Sequence, residues 1–315
     1  MHKIKSVIFG VRGLTLSPEE SDFFREINPL GFIIFDRNVK DPEQLRQLTA
    51  ALRTCVGRTD APILVDQEGG RVQRLWPPYW PGLPFAQTYG DWYLETAKKG
   101  MNGVREHART LSKILLDVGI DVDCWPCLDV AAPGVHDVMG KRLFGPDPVI
   151  VSLLAKEAVR EMLSRGLMPV IKHLPGYGRA ETDPHYYLPI VRSDITELER
   201  DFYPFRQIKQ PVWGMTAHVL YEALDPTLPA TLSEKVIRFI REEIGFSGFL
   251  ISDDITMGAL GGSVADKAAA SIDAGCDAVL HCSGILSEME SVAKKIPSLS
   301  ADARKRLQQG RALIK

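Results

Sequence analysis

The chain holds few cysteines, almost no net charge and no long apolar run, and each scarcity removes a class of function. Five cysteines in 315 residues, at positions 55, 124, 127, 276 and 282, are an odd number in a long chain, which argues against a disulfide framework and for a reducing compartment. Lys and Arg number 38 against 40 Asp and Glu, a net charge of -2. Such a balance gives no general attraction to nucleic acid or to an anionic membrane. No stretch approaches the roughly 18 apolar residues needed to span a bilayer. The first apolar run, VIFGV, is too short for a signal peptide and is followed at once by Arg12 and a helix-start pattern. The expectation is a soluble, cytoplasmic, monomeric protein with a small, local ligand.

Metal and redox signals are equally thin. Cys124 and Cys127 form CWPC, but they sit in DVDCWPCLDV, which reads as a strand followed by a loop rather than the start of a helix. Residues three apart on a strand face opposite sides, so ordinary packing is the better account. No second Cys or His pair stands at zinc spacing, and HExxH is absent. Neither metal nor cofactor is expected.

What is present is an ordinary globular composition, 45% hydrophobic and 25% charged, with enough length for a substantial core. Short apolar runs rich in β-branched residues recur at 6–10, 31–35, 62–66, 121–129, 168–173, 212–218, 248–254 and 277–283. They are continuous rather than alternating, as in strands covered on both faces. Between most of them lie helical patterns, among them PEQLRQLTAALRTCV, a long segment from Tyr93 to Val118, and SEKVIRFIREEIG with its Ser cap. Eight strands alternating with helices predict an α/β fold, a TIM-type (β/α)8 barrel whose N-terminal strands are the least regular. A doubly wound open sheet is the competing arrangement. No linker or repeat divides the chain, so residues 1–315 read as one domain, with one or two helices over 287–315 packed outside the barrel.

Polar residues gather at the carboxyl ends of the strand candidates: Asp66 with Gln67 and Glu68, Asp129, Lys172 with His173, His218, Asp253 with Asp254, and His281. A barrel places its active site on that face. In LISDDIT, extended geometry lets only one of the two acids point into the mouth, where it can serve as nucleophile, general base or metal ligand. In the loop KHLPGYGRAETDPHYYLP, Pro184 biases Asp183 toward extended backbone, from which Asp183 reaches one ring nitrogen of His185 and makes the other a better base. The loop's glycines and prolines suit a lid. Lys172 at a strand end also fits a Schiff-base aldolase or lyase, and Trp76, Tyr79 and Trp80 suit either sugar stacking or packing under a loop.

VDQEGGRVQRL (65–75), KHLPGYGRAETDPH (172–185) and LISDDITM (250–257) resemble signature segments of the glycoside hydrolase family 3 β-N-acetylhexosaminidases, of the bacterial peptidoglycan-recycling type. Weaker echoes such as GFIIFDRNVKDPEQL, GKRLFG and HVLYEALDPTLPATLS extend the resemblance over roughly residues 5–285. It implies Asp253 as nucleophile and His185, supported by Asp183, as general acid/base. It further implies that Asp66, Arg74, Arg142, Lys172 and His173 hold the N-acetylglucosamine ring, and that the substrate is an N-acetylglucosaminyl muropeptide hydrolysed with retention. Tyr177 and Pro184 depart from the family's usual His and Ser. A homologue that binds saccharide without catalysis is the remaining alternative.

Overall fold

The runs that carry apolar residues consecutively are buried on both faces. In β1 (Lys5–Gly10) and β2 (Pro29–Ile34) the apolar side chains of Val7, Ile8, Phe9, Phe32, Ile33 and Ile34 are all inaccessible to solvent. The computed structural model describes residues 3–314. Its remaining barrel strands are β3 (Ile63–Val65), β4 (Val122–Asp123), β5 (Met168–Leu174), β7 (Trp213–Thr216), β9 (Leu250–Asp254) and β10 (Ala278–His281). They close in the order β1-β2-β3-β4-β5-β7-β9-β10, every neighbouring pair parallel. The expected α/β TIM-type barrel is therefore the fold, and the open doubly wound sheet is excluded by the β1–β10 pairing.

Helices α1 (Pro18–Ile27), α2 (Pro42–Cys55), α5 (Pro148–Ser164), α6 (Ile195–Arg206), α7 (Glu234–Glu242) and α8 (Val264–Asp273) each begin after a Ser or Asp whose side chain accepts a first-turn N–H. The long helix expected from Tyr93 to Val118 is two: α3 (Ala86–Glu95) and α4 (Ala97–Asp117). Thr96 between them is extended, and its hydroxyl caps α4 through Lys99 N–H. Gly100 lets α4 fold back closely, since a Cβ there would lie 2.6 Å from that of Tyr93.

Two further features position the site. The loop after β5 ends in β6 (Ile190–Val191), which pairs in parallel with β8 (Leu220–Tyr221) in the loop after β7, so both ends of the long loop are anchored. At the chain's end, α9 (Leu286–Lys295) follows β10 and packs beside α8. α10 (Ala301–Arg311) lies under the amino ends of the strands, with Gly310 near Met168, Pro211 and Trp213 and Arg306 on Asp277. No helix among the described residues is long and apolar enough to cross a membrane.

Candidate active site

At the carboxyl ends of the strands lies a cavity of about 290 Å³ bordered by Asp66, Glu68, Arg71, Arg74, Arg142, Lys172, His185, Asp253 and Asp254, with Phe35, Met215, Met257 and Leu280 as apolar wall. Six of the eight residues singled out from the sequence thus line one space. Asp183 stands immediately behind His185, and His173 does not line the cavity. His173 Nδ1 is 2.7 Å from Asp129 Oδ2, in the strand wall.

Charge organises one side of the cavity. Lys172, fully buried, places Nζ 2.9 Å from Asp66 and 2.6 Å from Glu68. Arg142 grips Glu68 with two bonds of 2.9 and 2.7 Å, a bidentate geometry that only a guanidinium supplies. Arg74 lies 3.5 Å from Asp66 and covers the Phe35 ring. Burial alone would raise both carboxyls. The neighbouring cations outweigh it, Lys172 and Arg74 for Asp66, Arg142 and Lys172 for Glu68, and hold Asp66 below and Glu68 well below the ordinary range. Burial would likewise depress Lys172, but Asp66 and Glu68 outweigh it and raise its pKa. A Schiff-base lysine must lose its proton, and this one is held charged, so the aldolase or lyase alternative fails. Glu68 was visible in VDQEGG only as a strand-end acid; its bridging role depends on Arg142, distant in sequence.

Asp253 is chemically different. Its Oδ1 accepts the backbone N–H of Asp254 at 2.8 Å, and among the described residues no arginine or lysine pairs with it. Both acids of LISDDIT border the cavity, contrary to the expectation that only one would. They differ in occupancy instead, because Asp254 accepts Thr256 N–H (3.0 Å), the Thr256 hydroxyl (2.7 Å) and Cys282 N–H (3.2 Å). Beneath them, buried His218 donates from Nε2 to the Asp254 carbonyl at 2.9 Å. His281 lies in the core, edge-on to Phe9. Neither histidine lines the cavity.

His185 reaches the cavity from the loop after β5. Its Nδ1 is 2.6 Å from Asp183 Oδ1, and its backbone N–H donates to the same oxygen at 2.9 Å. The contact expected from the sequence is there, but extended backbone does not make it. Tyr186 and Tyr187 N–H both donate to the Asp183 carbonyl, at 3.1 and 3.0 Å, so Asp183 opens a turn with Pro184 in its second place, where proline's fixed φ is favoured. The same turn is clasped to the segment after Asp253 by Gly258 N–H to the His185 carbonyl and Ala259 N–H to that of Pro184, both 3.0 Å. Gly178 serves close approach rather than swing, since a Cβ there would fall 1.9 Å from the Val130 carbonyl oxygen. Trp80 is buried, whereas Trp76 and Tyr79 are exposed and outside the cavity lining. All five cysteines are buried and unpaired.

Such a site pairs an ion-paired, hydrogen-bonding wall suited to a polyhydroxylated ligand with a carboxylate free of cations and an exposed imidazole backed by an acid. The sequence model of the glycosyl hydrolase family 3 N terminal domain matches residues 16–311. A β-hexosaminidase of Aromatoleum aromaticum is 33% identical over 311 residues, covering 96% of this chain and 86% of its own. Another, from Alkalilimnicola ehrlichii, is 37% identical over 88% of this chain and 80% of its own. Among solved structures, NagZ from Neisseria gonorrhoeae in complex with N-trifluoroacetyl-D-glucosamine superposes with a TM-score of 0.89 at 34% identity, covering 98% of this chain and 90% of that one.

Proposed function

Because the chain belongs to the family 3 glycosyl hydrolases, and its cavity pairs a cation-free carboxylate with an acid-backed imidazole, we propose that it is a retaining exo-β-N-acetylglucosaminidase. The observation that carries the reading is that Asp253 and the Asp183–His185 pair border one cavity, beside the Asp66–Lys172–Glu68–Arg142 cluster. Asp66, Arg74, Arg142 and Lys172 hold the sugar hydroxyls; His173, one layer back, fixes the wall through Asp129.

In the first step an oxygen of Asp253 attacks the anomeric carbon as the glycosidic C–O bond breaks. The departing oxygen takes the proton from His185 Nε2, leaving a glycosyl ester on Asp253. Water then gives its proton to His185 Nε2 and attacks the same carbon, releasing the Asp253 carboxylate. The Asp183 carboxylate at Nδ1 stabilises the imidazolium present before the first step and after the second. Muropeptide fragments of peptidoglycan are the proposed substrate, by analogy with the relatives the chain resembles. A cytoplasmic monomer is part of the same reading, and the unpaired cysteines support the compartment.

A chromogenic aryl β-N-acetylglucosaminide tests the proposal. The purified protein should release the aryl alcohol, Asp253→Ala should not, and a slow fluorinated substrate should leave a sugar mass on the Asp253 peptide. Release without that adduct would point to attack by the substrate's own acetamido group. No release at all would leave a saccharide binder.

A further inference from the structure

Tyr177 is a large polar side chain in the loop after β5, yet it is only 3% exposed, and both of its ends are tied. Its backbone N–H donates to Asp129 Oδ1 at 2.6 Å. The other oxygen of that carboxylate holds His173 Nδ1 at 2.7 Å and accepts the Cys127 thiol at 3.0 Å. Asp129, with no solvent exposure, is thus a hub that fixes the end of β5, next to Lys172. At its far end the Tyr177 hydroxyl donates to the Thr182 carbonyl at 3.0 Å. Among the described residues no other donor reaches that carbonyl. Thr182 immediately precedes Asp183, whose turn carries His185.

We propose that Tyr177 is a positioning residue for the acid/base: its hydroxyl spans from the Asp129 hub to the base of the Asp183–His185 turn and so sets the aim of His185 Nε2 at the glycosidic oxygen. The inference rests on the reading of His185 given above. Its physical basis is that the loop's preceding anchors, Arg179 on Asp201 at 2.7 Å and the Ala180 carbonyl on His136 N–H at 3.0 Å, end three residues before Asp183, and beyond them the turn is located by this hydroxyl and by its clasp to Gly258 and Ala259. Proton transfer tolerates little misplacement; an error of about 1 Å can cost as much as 10²-fold in rate. Removing only the hydroxyl keeps the ring that packs 5.7 Å from the His173 ring and leaves one carbonyl without its donor.

Leaving-group dependence tests this, because a 2,4-dinitrophenyl aglycone departs without a proton and a 4-methylumbelliferyl one benefits from it. For Tyr177→Phe, kcat/KM for the methylumbelliferyl N-acetylglucosaminide should fall about 3- to 10-fold, while that for the dinitrophenyl compound should change less than about 2-fold. His185→Ala should display the same selectivity more strongly. Equal losses of Tyr177→Phe on both substrates, or no loss on either, would overturn the strut while selective His185→Ala leaves the catalytic reading intact. A His185→Ala variant without selectivity would overturn the catalytic reading itself. Circular dichroism verifies that the variant folds; should it not, Tyr177→Met, which keeps apolar bulk but likewise has no donor for the Thr182 carbonyl, is judged by the same two ratios.

Discussion

At the scale of single residues, the site separates two kinds of carboxylate by their neighbours. Asp66 and Glu68 are paired with buried cations, whereas among the described residues Asp253 pairs with no arginine or lysine and accepts a backbone N–H. Glu68 balances both Arg142 and Lys172, so Glu68→Gln strands positive charge in a buried place. Urea unfolding should show a loss of about 3 kcal/mol, as for other broken buried ion pairs, and KM for an aryl N-acetylglucosaminide should rise as Arg142 relaxes. Asp183→Asn addresses the other role. It keeps a side-chain oxygen for His185 but removes the charge that stabilises the imidazolium, and kcat/KM should drop about 10²-fold with little change in unfolding midpoint.

At the scale of elements, most of what the periodicity promised is present. All eight apolar runs contain strands, because two-sided burial writes itself into sequence as continuous hydrophobicity. The α3–α4 break was hidden, since it depends on a Thr cap and on how closely two helices fold back at Gly100. The Asp183–His185 contact was legible because it is local, whereas the turn that produces it was not, since it is held in part by Gly258 and Ala259 from the segment after Asp253. Glycine placement carries a prediction at this scale. A Cβ on Gly90 of α3 would fall 1.7 Å from the Phe144 carbonyl oxygen, and Phe144 is two residues beyond Arg142. Gly90→Ala should therefore push the segment carrying Arg142 away from Glu68, costing about 1–3 kcal/mol by overpacking and raising KM. Thermal denaturation and saturation kinetics would measure both.

For the whole molecule, acid sensitivity follows from burial. His107 on α4 lies between Tyr89, whose hydroxyl is 2.8 Å from its Nδ1, and Trp125. Burial pushes its pKa from 6.5 down to about 4. The unfolded chain thus binds a proton between pH 6.5 and 4 that the folded chain refuses. The contribution is intact above pH 6.5 and is lost as pH falls toward 4, about 3 kcal/mol over the window. Urea unfolding at pH 7 and pH 4.5 should show a smaller pH dependence for His107→Gln than for the parent. An equal dependence would mean that His107 titrates normally in the fold.

The amino-acid sequence by itself determined the (β/α)8 barrel, the face on which the candidate site lies and the identities of the charged residues there. Apolar periodicity and strand-end polarity are properties of short segments and need no long-range information to be read. Only the tertiary structure decided which of those residues share a cavity: that Glu68 bridges Arg142 and Lys172, that Lys172 is held charged, that His173, His218 and His281 stand behind the wall, and that Tyr177 braces the turn bearing His185. Each of these is a balance between desolvation and a partner far away in the chain, and that balance exists only once the barrel has closed and excluded water.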